Sequence, residues 1–145
     1  MTAIHRIVAR CRAGGYPPAI LQLRSGWAVM GERQVLPGYC LLLPDPVVAD
    51  LNALDAEKRA QFLADMALLG DALIDVLGAV RVNYAMFGNV EAALHAHLFP
   101  RLRSEPDATR TAQPWALDWS LAAAYADATH AELKARIASS IRRRC

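Results

Sequence analysis

The stretch Leu94-His95-Ala96-His97-Leu98-Phe99-Pro100-Arg101 governs the reading of this chain. Two histidines stand two residues apart in an apolar run that stops at a proline. Successive side chains of a strand point to opposite faces. As a strand, the stretch puts Leu94, Ala96 and Leu98 on one face and His95 and His97 on the other. Two imidazoles then stand side by side on a surface backed by core. Three readings of the pair are open: a solvated polar face, part of a metal site, or attack on phosphorus by one neutral imidazole. Zinc wants three or four ligands. A third from His5, His130, an acid or a cysteine is not placed by the sequence.

Working outward, Val80 to Met86 is rich in β-formers and Gly88 marks a loop, so two antiparallel strands flank a functional loop. Further upstream, Phe62, Met66, Leu69, Leu73 and Leu77 recur at steps of three and four, one helical stripe. Asp55 suits its N-cap and Gly78 its C-terminal stop. Before that helix, short strands are expected at Ile20 to Leu23, Trp27 to Met30 and Tyr39 to Leu43. Gly31-Glu32-Arg33 connects the second of these onward. The first eighteen residues carry no clear pattern, and Gly14-Gly15-Tyr16-Pro17-Pro18 closes them as a turn. Arg103 to Pro114 is polar, with two prolines, and reads as a loop. A last helix is expected from about Leu121 to Ile141. Strands on either side of one long helix argue an α+β fold with an antiparallel sheet of about five strands and a C-terminal helix.

The 145 residues suit a single domain, with its core at about 20–103 and a loop plus helix over 104–145. A net charge of +2 is too mild to argue for nucleic acid binding. The basic cluster Arg142-Arg143-Arg144 fits the end of a helix dipole. Cys11, Cys40 and Cys145 are odd in number and widely spaced, with no zinc pattern, which suggests a reduced compartment. No stretch has signal-peptide or membrane-span character. The expectation is a cytoplasmic protein without membrane or nucleic acid partners and without a metal or cofactor.

The segment from Asn83 to Arg101 resembles the active-site hairpin of the histidine triad (HIT) family, whose pattern is His-φ-His-φ-His-φ-φ, often followed by Pro-Arg. Aligned on Pro100-Arg101, the middle histidine falls on His95 and the third on His97. The family's upstream Gly-Gln falls on Gly88-Asn89, and its phosphate-contacting amide on Asn83. Pro37-Gly38-Tyr39-Cys40-Leu41-Leu42-Leu43-Pro44 is similar to another strand of that family, and the resemblance spans roughly Ile20 to Arg103. Three positions depart. Ala93 replaces the first triad histidine. Gly31 falls near the family's ribose-binding acid or amide, a contact Glu32 could supply. Tyr39 replaces a histidine and is expected to alter packing alone.

The resemblance implies a nucleotide hydrolase or transferase acting at the α-phosphate of a nucleoside phosphoramidate, dinucleoside polyphosphate or related conjugate. His95 would be the nucleophile and His97 its neighbour on the phosphate side, with Asn83, Gly88 and Asn89 holding substrate. An imidazole of ordinary pKa, about 6.5, is mostly neutral at cytosolic pH, and its second nitrogen needs an acceptor to set the tautomer. Charge on the phosphoryl oxygens needs preplaced donors. The resemblance also implies a homodimer that joins its sheets edge to edge. The alternatives are a HIT module that binds nucleotides without turnover and a metal-binding protein using His95 and His97. Arg101 reads as structural, and Trp27, Trp115 and Trp119 as core or interface anchors.

Overall fold

In the computed structural model, which describes residues 1–145, the chain runs α1 (Ala3–Arg12), β1 (Ala19–Gln22), β2 (Gly26–Met30), β3 (Arg33–Gln34), β4 (Cys40–Pro44), α2 (Ala56–Leu77), β5 (Arg81–Ala85), β6 (Ala96–Arg101), α3 (Asp107–Arg110), β7 (Ala123–Ala124) and α4 (Asp127–Arg144). Five strands form one antiparallel sheet in the order β1-β2-β4-β6-β5. The α+β class and the five-stranded antiparallel sheet agree with the sequence reading. No helix is long and apolar enough to cross a membrane.

Alternation along the strands divides the sheet into two faces. Ala28, Met30, Cys40, Leu42, Ala96, Leu98 and Val82 point inward and join one buried cluster with Phe62, Leu69 and Leu73 of α2. The periodic stripe of α2 therefore does what its spacing predicts, and Met66 and Leu77 pack at its margins. Asp55 caps this helix by accepting the Lys58 N–H at 2.9 Å, and Gly78 ends it at φ 66. The inner core also takes Ile137 and Ile141 from α4, so the last helix closes the same core as α2.

Four elements differ from expectation. The first segment folds as helix α1, whose Thr2 and His5 form a reciprocal capping box. Its apolar positions Ile4, Val8 and Cys11 fall at helical steps, but basic residues among them mask the pattern. The last helix starts at Asp127 rather than near Leu121, because residues 114–121 form two short 3-10 turns and Leu121 is exposed. The connection after β2 forms β3, which pairs with the distant β7 in a separate two-stranded sheet, Arg33 facing Ala124 and Gln34 facing Ala123. Finally, β6 begins at Ala96, so His95 lies just before the strand.

Candidate active site

The outer face of the sheet carries the two candidate histidines. Register sets Leu41 and Ala85 on either side of His97, with Phe99 opposite Asn83 and Arg101 opposite Arg81. Two separate pieces cover this face. Helix α1 lies over Val29, Leu43 and Ala93, forming a second apolar cluster with Tyr16. The segment after β6 covers Phe99 and Tyr39 through Leu117 and Trp119. His95 and His97 stand between the two covers, their ring centroids 4.8 Å apart and the planes inclined at 71°.

His95 is buried, and its Nδ1 lies 2.7 Å from the carbonyl oxygen of Ala93. A carbonyl can only accept, so Nδ1 carries the proton. In the neutral ring the lone pair then sits on Nε2. That atom has no protein partner, yet it is absent from the buried unpartnered atoms and so keeps contact with solvent. The backbone before the strand thus sets which nitrogen is free to react.

His97 is fixed differently. The Tyr39 hydroxyl lies 2.6 Å from His97 Nδ1. Burial raises the Tyr39 pKa, which keeps the phenol protonated. A phenol is the stronger donor and an imidazole nitrogen the stronger acceptor, so Tyr39 donates to Nδ1 and His97 presents Nε2–H. Burial, with a smaller push from His95, lowers the His97 pKa to about 4, so the ring is neutral at ordinary pH. Tyr39 stacks on Phe99 at 4.4 Å. A side chain at position 31 would collide with this ring, since a Cβ on Gly31 would stand 2.3 Å from it. Tyr39 therefore changes more than packing: it sets the tautomer of His97 and requires glycine beneath it. Glu32 is occupied by the Tyr16 hydroxyl at 2.7 Å.

The other sequence-derived residues are dispersed. Asn83 is half-buried on β5, and its Oδ1 accepts from Arg101 Nη1 at 3.0 Å. Gly88 has φ +70, a left-handed conformation that favours glycine, in the loop between β5 and β6. Asn89 is exposed on that loop. Ala93 is 3% exposed and its methyl packs against α1, where a larger side chain would need room. Arg101 is 7% exposed, pairs with Glu105 at 2.8 Å and donates to the carbonyls of Thr109, Arg110 and Ala112. It pins the covering segment to the sheet, in line with a structural role.

Two neighbours of His97 were missed as such in the sequence, Tyr39 and Trp115. The edge of Trp115 meets His97 with centroids 5.0 Å apart. The only sequence signal for Trp115 is an aromatic beside Pro114 in a polar loop. His5 and His130 act at helix starts, His5 in the α1 capping box and His130 beside the Ala126 N–H at 3.0 Å. No group of three or more His, Cys, Asp or Glu could hold a metal ion, which leaves the histidine pair without a third protein ligand.

No family model and no curated protein matches the chain. Solved structures do. A histidine triad protein from Sinorhizobium meliloti gives a TM-score of 0.72 at 21% identity, covering 84% of this chain and 87% of that one. A hypothetical histidine triad nucleotide-binding protein from Sulfolobus tokodaii gives 0.74 at 15% identity, covering 95% and 92%. Diadenosine triphosphate hydrolase from Plasmodium falciparum, solved with Cyclomarin A, gives 0.61 at 15% identity, covering 87% and 77%. At such identities the likeness is one of architecture, and on that architecture this chain has the histidine triad fold.

Proposed function

We propose that this protein is a nucleotide hydrolase or transferase that acts at an α-phosphate through a nucleotidyl-histidine intermediate. The observation that carries the proposal is the His95 bond to the Ala93 carbonyl, which leaves Nε2 as the free nucleophilic nitrogen beside the neutral His97. The nucleotide-binding and diadenosine triphosphate hydrolase descriptions of its structural neighbours support the substrate class. Nε2 would attack the α-phosphorus, forming a P–N bond as the bond to the leaving group breaks. The leaving group departs with the electron pair and takes a proton from solvent, which the attacking water returns in the second step. Water then cleaves the P–N bond, releasing a nucleoside monophosphate and restoring His95. His97 Nε2–H would donate to a phosphoryl oxygen. Asn83, Gly88 and Asn89 are the proposed substrate contacts on the β5–β6 side.

A second reading, a nucleotide-binding module without turnover, is favoured by one observation. Ala93 supplies no imidazole where the family's pattern has its first histidine. Incubation with adenosine 5′-phosphoramidate and diadenosine polyphosphates, followed by phosphorus NMR, separates the two. AMP release that disappears in His95→Ala supports the enzyme. Tight nucleotide binding with no release sinks it and leaves the module.

We further propose a cytoplasmic homodimer. The outer edge of β5 is unpaired, with Val80 and Tyr84 exposed along it, a surface that a second copy could cover. The free thiols of Cys11, Cys40 and Cys145 suit a reducing compartment. Light scattering after size exclusion should give twice the chain mass, and a monomer across the micromolar range would refute the dimer.

A further inference from the structure

The chain between β5 and β6 delivers His95, yet no turn or strand hydrogen bond closes residues 86–93 among themselves. Other parts of the molecule hold this segment. Near its start Phe87 packs edge to face on Trp115. At its end the Leu94 N–H donates to the Val48 carbonyl at 2.9 Å, and the Ala93 methyl sits in the apolar cluster with Ile4 and Val8 of α1. Between these lies Glu91, half-buried, whose Oε1 accepts the Ala3 N–H at 3.1 Å. Ala3 is the first residue of α1. The Thr2–His5 capping box satisfies the Thr2 and His5 N–H groups and leaves that of Ala3 unused. The first turn of α1 holds no acid of its own. An anion at a helix N-terminus is favourable, so Glu91 supplies from 88 positions along the chain what this helix lacks.

Two residues beyond Glu91 comes the Ala93 carbonyl, the acceptor that places the His95 proton on Nδ1. That carbonyl accepts no backbone N–H, and β6 begins only at Ala96, so no ladder fixes its direction. Its direction depends on the anchors to either side. After it, the Leu94 N–H is tied to Val48. Before it, Glu91 is the one polar side chain in Val90-Glu91-Ala92-Ala93, and it reaches α1. We infer that Glu91 is a positioning residue for His95. Its carboxylate, held on the N-terminus of α1, keeps residues 91–93 in place, so that the Ala93 carbonyl stays on Nδ1 and Nε2 stays free. Glu91 touches no reacting atom and acts through that carbonyl. The inference rests on the proposed role of His95 as nucleophile, which requires the free nitrogen to be Nε2. The helix that seals one end of the outer face thereby also sets the state of the reactive ring.

Nitrogen-15 NMR of the histidine rings tests this without relying on turnover, with the His95 signals identified by their loss in His95→Ala. Wild type should show one His95 tautomer, protonated at Nδ1. Glu91→Ala should show a mixture of the two, and Glu91→Gln, which keeps an acceptor oxygen, should retain the wild-type spectrum. Ala3→Pro removes the same contact from the other side, because proline lacks the N–H and is tolerated at the first position of a helix. It should reproduce the Glu91→Ala spectrum, with helix content retained in circular dichroism. His97 should keep its tautomer in every variant, since Tyr39 sets it. In AMP release, Glu91→Ala and Ala3→Pro should each lower kcat about tenfold, with KM changed less than about twofold. A His95 spectrum unchanged in Glu91→Ala or in Ala3→Pro, each shown to be folded, overturns the inference, as does a change that reaches His95 and His97 alike. A change confined to His95 in a protein that never releases AMP would instead retain the positioning contact and remove the proposed reaction.

Discussion

The two faces of the sheet come from the same strands and are built on different terms. The inner face is a continuous apolar surface closed by two long helices, α2 and α4, and its members are nearly all fully buried. The outer face mixes Trp27, Leu41, His97, Phe99, Asn83 and Arg101, and no single element covers it. Helix α1 seals one end and the segment after β6 the other, and the histidines lie in the interval. A face sealed by one apolar surface is stable and chemically silent. A face sealed piecewise leaves an opening, and the polar groups in that opening are held by individual hydrogen bonds instead of by bulk burial.

The sharpest contrast is between loss of turnover and loss of stability. His95→Ala should abolish AMP release, by about a thousandfold or more, with little change in the urea midpoint. Turnover that survives this change would break the link between the outer face and chemistry. On the inner face, Leu73→Ala should destabilise the fold by about 2–5 kcal/mol in urea unfolding, because the fully buried site borders both the sheet and α4. Should it cost under about 1 kcal/mol, the inner face would not be the main store of stability.

Smaller effects probe the seams of the outer face. Ala93→His restores the missing imidazole but must fit beneath α1, and should cost about 1–3 kcal/mol by overpacking. A neutral effect on unfolding would show that α1 yields easily there. Tyr39→Phe removes one hydrogen bond, worth about 1 kcal/mol, and should convert His97 from one tautomer to a mixture visible in nitrogen-15 NMR of the ring. An unchanged ring spectrum would remove Tyr39 from that role.

The outer face should also show itself in pH dependence. Burial holds the folded-state pKa of His97 at about 4, below the ordinary 6.5. Between those values the unfolded chain binds a proton that the folded chain rejects. Stability contributed by this group is therefore present above pH 6.5 and declines as pH falls toward 4. In His97→Phe the decline over that window should be shallower. An equal slope in both proteins would mean that the ring is hydrated in the folded state.

The inner face was legible because its signals are local. The α2 stripe, its Asp55 and Gly78 ends, and the alternation of Leu94, Ala96 and Leu98 all follow from side chains within one element. The pair His95 and His97 was legible for the same reason. The outer face was less so. Helix α1 was missed because its arginines interrupt a short stripe that closes only against Val29 and Leu43. The β3–β7 pairing joins segments far apart in sequence, and two-residue strands carry no periodic signal. The role of Tyr39 depends on a cross-strand partner, His97, which nothing in its own neighbourhood announces.

Residue order alone settles the period of each long element and the side to which each histidine points, since those depend on spacing and side-chain chemistry. Folding settles which nitrogen of each ring carries the proton and which pieces of chain seal the histidine face. Those properties arise where distant segments meet: the Ala93 carbonyl turns back to His95, the Tyr39 hydroxyl reaches across from β4 to β6, and Arg101 draws the covering segment onto the sheet. Contacts of that kind follow from packing, and packing has no period to read.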